Sequence, residues 1–143
     1  MPIRQRRGVW IWAISLIAVA FGLLTIKEGG TILFGNEAAR IAAGNYVPAV
    51  LWFNFAAGFA YVAAAAGFWM QQRWAVWLAV GVAMATGIVF AVFVAHVSSG
   101  GAYEPRTVVA MSLRTLVWVV IAVVAWRKLQ RRPALVDHRS DTP

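Results

Sequence analysis

The chain has 143 residues, of which 62% are hydrophobic and only 13% are charged, a composition that excludes an ordinary soluble domain. Its formal net charge is +8, but the charges lie at the ends of apolar stretches, so we expect no nucleic-acid partner. The chain contains no cysteine, which excludes disulfides, thiolate catalysis and thiolate metal centres.

Four apolar stretches are each long enough to cross a bilayer as a helix, for which about 20 residues are needed. A lone strand would leave its backbone groups unpaired in lipid. We therefore predict an all-α fold, an integral membrane four-helix bundle with up-down-up-down topology, formed by residues 1–132 in contact with the lipid bilayer. Residues 133–143 are predicted to form a disordered cytoplasmic tail. The predicted helices cover residues 9–26, 48–70, 74–97 and 107–126.

Lysine and arginine are distributed unequally between the two ends of these helices. Nine lie at the end that holds both termini and the turn at 71–73, whereas three lie in the loops 27–47 and 98–106. Positive residues accumulate on the cytoplasmic side of membrane proteins. We therefore expect a multi-pass protein of the cytoplasmic (inner) membrane, with both termini in the cytoplasm and the two loops facing outward.

The first of these loops contains the signals of a helix of its own. Asn36 is a suitable N-cap, Glu37 suits the first turn, and Gly44 can end the helix. We predict a short interfacial helix at residues 37–43. Pro48 then opens the next span, because the first turn of a helix does not need its missing N–H.

Small residues recur every four positions along the predicted helix 74–97. Such a stripe lets two helices approach closely in a membrane. It predicts either a tight hairpin with helix 48–70 or a contact with another chain, in a homodimer or with a partner membrane subunit. The stripe consists of Ala79, Ala83, Gly87, Ala91 and Ala95.

Arg114 is the one cation inside a predicted span. It follows Arg106 by eight residues, which places it about 12 Å further along the helix. An arginine at a helix centre costs about 2.5–3.5 kcal/mol on insertion, so such residues usually face other helices and find a partner. We expect Arg114 to pair with a carboxylate, with Glu28 as the first choice. The alternative is that Arg114 extends towards the outer headgroups or only holds the bundle together.

Further polar residues are expected at a similar depth, around an outward-facing pocket. Asn54 lies six residues into its helix, or about 9 Å deep, and Met111 shares a helical face with Thr107, Arg114 and Trp118. We predict that this pocket binds or transports a small anionic or polar ligand. Its expected ligand-binding residues are Arg114, Glu28, Asn54, His96, Glu104, Arg106 and Met111.

Two other functions are compatible with the sequence. One is an accessory or assembly subunit of a larger membrane complex, in which Arg114 and the small-residue stripe serve protein contacts. The other is a haem- or copper-binding protein with His96 and Met111 as ligands, or a small enzyme using His96. No cofactor is predicted outright, and because no catalytic motif is present, we do not favour an enzyme.

Overall fold

The computed structural model describes residues 8–130, and throughout this range the regular structure is helical. Four of the α-helices are long and apolar enough to cross a membrane, which confirms the predicted all-α class and the predicted number of span-length apolar helices. The last five residues described, Trp126–Gln130, form a π-helical turn. The predicted tail at 133–143 lies outside the described residues. The α-helices are α1 (Val9–Phe34), α2 (Glu37–Ala43), α3 (Pro48–Trp69), α4 (Arg73–Ser98) and α5 (Pro105–Ala125).

Helix α1 is longer than predicted, because it continues past Ile26 for about two further turns. The prediction placed the polar residues after Ile26 in a loop, whereas in the structure they belong to α1. The Thr31 hydroxyl donates to the carbonyl of Lys27 at 2.7 Å, and Gly29 is buried against Phe55 of α3. As a result Glu28 lies on a helix, three residues after Thr25 and on the same face.

The short helix α2 has the predicted bounds and the predicted caps. The side chain of Asn36 accepts from the backbone N–H of Ala39 at 3.0 Å. Gly44 has a positive φ of 68°, and its N–H donates to the carbonyl of Ile41 at 3.1 Å. A residue with a side chain would be strained at that φ, so glycine is required there.

The long helices pack in the order α1, α3, α4 and α5, and α1 and α5 have almost no direct backbone contact. The most extensive packing is between α1 and α3, at Gly22 and Gly58. A Cβ atom added at Gly58 would lie 2.7 Å from Cγ1 of Ile26 and 3.1 Å from the carbonyl oxygen of Gly22. Helices α3 and α4 pack on each other, as the spacing of small residues predicted. The most extensive packing, however, is between α1 and α3, which that spacing did not predict.

The apolar core differs between the two ends of the helices. A large cluster around Tyr61, Phe68 and Trp118 draws residues from all four spans. At the end that carries α2, which we call the α2 end, the core is a small cluster around Phe93 and Met111 from α3, α4 and α5 only. Because α1 is absent from this second cluster, space remains between α1 and α5 at the α2 end.

The small-residue stripe of α4 does not form a single face. Ala79 is fully buried inside the chain, whereas Ala91 and Ala95 are exposed. A four-residue step turns about 40° beyond a full turn of helix, so the stripe rotates by about 160° over its length. At most one half of the stripe is therefore accessible to another chain.

The close approach of α1 and α3 predicts different outcomes for two glycine substitutions. Gly58→Ala should lower the stability by about 1–3 kcal/mol, because the new methyl group has no space. Gly87→Ala should be neutral or stabilising by up to about 1 kcal/mol, because no atom lies within 4 Å of the new Cβ and alanine favours helix. Unfolding of the two variants in detergent checks this, and equal effects would contradict the packing.

Candidate functional site

A cavity of about 640 Å³ lies at the α2 end, between α1, α3 and α5 and beneath α2. No residue of α4 contributes to it. Its walls are mostly apolar, with charged side chains from α1 and α5. A concave, largely apolar site of this size with a few placed polar groups is typical of a small-molecule binding site.

Arg114 of α5 is the charged residue at the base of the cavity, and only 8% of its surface is exposed. Its Nη2 donates to the Thr25 hydroxyl of α1 at 3.2 Å, and its Nη1 donates to the sulfur of Met111 at 3.5 Å. Its Nε is buried and has no hydrogen-bond partner among the described residues. The guanidinium is thus held only by neutral groups, one of which is a weak acceptor.

The expected ion pair of Arg114 with Glu28 is not formed. Glu28 does line the cavity, and its carboxylate attracts the guanidinium electrostatically. The direct bond, however, goes to Thr25, one turn deeper on α1. The prediction was wrong on this point because it ended α1 before Glu28: on the longer helix Glu28 is exposed and further towards the α2 end.

Asn54 of α3 lines the cavity, as predicted. Its Oδ1 is buried and accepts no hydrogen bond from the described residues. Thr25 lies nine residues from the end of α1 and Arg114 nine residues into α5, so these two are at a similar depth, whereas Asn54, six residues into α3, lies about 4–5 Å nearer the α2 end. Arg114 and Asn54 thus both belong to the cavity lining, and each has one buried polar atom without a hydrogen-bond partner among the described residues.

Arg106 and Glu104 tie the two loops of the α2 end together. Nη2 of Arg106 donates to the carbonyls of Ala42 and Ala43, at 2.7 and 2.6 Å, at the C-terminus of α2. The carboxylate of Glu104 accepts from the backbone N–H of Asn45 at 2.7 Å. Arg106 also lines the cavity, but Glu104 is not among the lining residues. Both side chains thus position α2 over the cavity.

His96 does not reach the cavity. It is exposed at the end of α4, and its Nε2 lies 3.3 Å from the carbonyl of Ala102. Met111, its predicted companion in a haem or copper site, is fully buried with its sulfur directed at Arg114. Within residues 8–130 no group of three or more His, Asp or Glu side chains is placed to hold a metal ion.

The sequence reasoning missed Thr25, although it is the residue that bonds to Arg114. A signal was present, since Thr25 is a polar residue inside an apolar span and precedes Glu28 by three positions. Of the four residues predicted to share a face of α5, Thr107, Met111 and Arg114 line the cavity, whereas Trp118 is buried in the large core cluster.

Beyond Arg114, polar side chains continue into the core. Tyr61 and Trp118 have ring centroids 4.5 Å apart, and the Tyr61 hydroxyl faces that of Thr86 without the geometry of a direct hydrogen bond. All three side chains are fully buried. Their polar atoms have no hydrogen-bond partner among the described residues. None of the three residues lines the cavity.

Comparison of the chain with protein-family models, with curated proteins and with solved structures found no match. The function must therefore be inferred from the site itself.

The bond between Arg114 and Thr25 can be tested with an isosteric substitution. Thr25→Val should lower the free energy of unfolding by about 1.5–3 kcal/mol, the usual contribution of a hydrogen bond to a charged group. Thr86→Val is the matched control, because its hydroxyl is equally buried but forms no hydrogen bond. It should leave the stability unchanged or raised. A similar loss of stability in both variants would show that the hydrogen bond between Thr25 and Arg114 does not stabilise the fold.

The contact of Arg106 with α2 predicts a local effect. Arg106→Gln should speed hydrogen exchange of the backbone amides of α2, because the helix loses the two bonds that hold its C-terminus. Arg73→Gln changes the same residue type at the opposite end of the helices and serves as the control. Unchanged exchange in α2 would show that Arg106 does not position this helix.

Proposed function

We propose that this chain is a non-enzymatic membrane protein whose cavity around Arg114 binds a small anionic ligand, as a step in transport or sensing. The observation that carries this proposal is the state of Arg114, which is buried yet has only neutral hydrogen-bond partners among the described residues. A buried charge is normally paired, because its desolvation is otherwise uncompensated. An anion at the base of the cavity would supply that pairing.

The remaining charges of the cavity favour the same ligand class. Lys27, Arg106 and Arg114 contribute three positive charges to the lining, against one negative charge from Glu28. In a site with largely apolar walls, such an excess attracts anions strongly, since the effective dielectric constant is low. The Asn54 and Thr25 side chains add neutral polar groups to the lining.

The proposal includes an arrangement in the membrane. The four spans would form an up-down-up-down bundle in the cytoplasmic (inner) membrane, with both termini in the cytoplasm. The unequal distribution of lysine and arginine supports this orientation. It would direct the α2 end and the cavity outward, with α2 lying in the interface above the cavity.

The alternative of an accessory subunit has less support. It relied on Arg114 and the stripe of α4 as contacts for another chain. Arg114 is bonded to α1 of its own chain, and Ala79 is buried in its own core. A contact through Ala91 and Ala95 remains open to a partner or to a second copy, since both residues are exposed.

Ligand binding can be tested by thermal unfolding of the purified chain in the presence of anions. At a concentration of 100 times Kd, a bound anion should stabilise the protein by about 2.7 kcal/mol. Arg114→Gln should abolish this stabilisation, and Arg114→Lys should weaken it because the planar, forked guanidinium is lost. Arg73→Gln should bind as the wild type does. If no anion stabilises the protein through Arg114, the proposal fails.

A further inference from the structure

We infer that the ligand is a single-chain amphiphilic acid, with its anionic group at Arg114 and its apolar part along the carbon-lined wall beneath α2. This inference rests on the proposed function and names the ligand class of the same cavity. Three features carry it: the polar groups at the base, the walls above them, and the gap between α1 and α5.

The polar groups at the base are sufficient for one small anionic group. Nε of Arg114 is unpaired, and its two other nitrogens are bonded only to Thr25 and Met111. A guanidinium binds a carboxylate or phosphate through two parallel hydrogen bonds. The ionised acid would replace these weak neutral acceptors with charged ones.

The walls between the two arginines of α5 are apolar. Arg106 and Arg114 are separated by about 12 Å along the helix. The lining between them consists mainly of aliphatic side chains from α2, α3 and α5. At the upper end of the cavity, the Arg106 guanidinium already donates hydrogen bonds to the C-terminal carbonyls of α2. A ligand with one charged end and a hydrocarbon body fits this distribution better than a compact inorganic anion. The wall includes Ala43, Val47, Val50, Leu51 and Ala110.

The gap between α1 and α5 gives the apolar part room. These helices have almost no direct backbone contact, and the hydrogen bond between Thr25 and Arg114 joins them at the base of the cavity. Thr31 on α1 and Ala110 on α5 both line the cavity and are exposed. We place the hydrocarbon chain of the ligand in the gap between these two helices, where its apolar surface is removed from water.

The experiment compares three probes that separate charge from hydrocarbon: dodecanoate, acetate and dodecanol. Binding to the purified full-length chain in a neutral detergent is measured by displacement of radiolabelled dodecanoate and by thermal unfolding. We expect dodecanoate to bind at least a hundredfold more tightly than acetate, because each buried methylene adds to the affinity. Arg114→Gln should weaken dodecanoate binding at least tenfold and leave dodecanol unaffected.

A second pair of variants tests the apolar wall without altering Arg114. Ala110→Phe projects into the cavity and should weaken dodecanoate binding at least tenfold, with acetate binding unchanged. Val109→Phe is the matched control, because Val109 is 68% exposed and does not line the cavity. It should bind as the wild type does.

The outcomes distinguish this inference from the proposed function. If acetate and dodecanoate bind equally well through Arg114, the cavity takes small anions and the amphiphile inference is overturned, while the proposed function stands. If dodecanoate binds equally well to Arg114→Gln, it only partitions onto the apolar surface, and the inference is overturned. If neither anion depends on Arg114, both proposals fail.

Discussion

The structure depends on how one guanidinium is accommodated among apolar helices. Arg114 lies about 12 Å along α5 from Arg106, in a span where an arginine costs about 2.5–3.5 kcal/mol. Its hydrogen bond to Thr25 crosses from α5 to α1, two helices that otherwise scarcely touch. The charge is therefore offset in part by α1 of the same chain, and the cavity exists because these two helices stay apart on the α2 side of that bond.

The helix packing explains why that gap persists. Gly22 and Gly58 bring α1 against α3, which commits one face of α1 to α3 and leaves the face of Thr25 and Glu28 towards the cavity. On the other side α5 packs against α4, with Met111 and Phe93 in a shared cluster. Helix α3 thus holds α1 in place, and α4 holds α5 in place, on either side of the cavity. Helix α2 covers the cavity through its contact with Arg106.

Much of the fold could be predicted from the sequence because the signals are local. The length and apolarity of the spans, the Asn36 and Gly44 caps of α2, and the cavity-facing side of α5 all follow from residue spacing along one helix. The end of α1 could not be predicted, because Lys27 and Glu28 resemble the start of a loop, whereas α1 continues through them to Phe34, with Gly29 close to Phe55 of α3. The predicted ion pair between Arg114 and Glu28 assumed that α1 ended before Glu28, so this prediction was wrong as well. His96 was misplaced because its depth was known but the direction of its side chain was not.

Two arginines of the same helix show what a purely structural role would look like. Arg106 lies near the start of α5 and bonds to two backbone carbonyls, where a helix C-terminus already carries partial negative charge. That is a satisfied cation which holds two loops together. Arg114 is more deeply buried, has weaker acceptors and keeps one nitrogen unpaired, although its burial makes full pairing more important. If holding the bundle together were its whole role, a residue such as leucine would pack there without the cost of the charge. This difference between the two arginines is the reason for proposing an anionic ligand at Arg114.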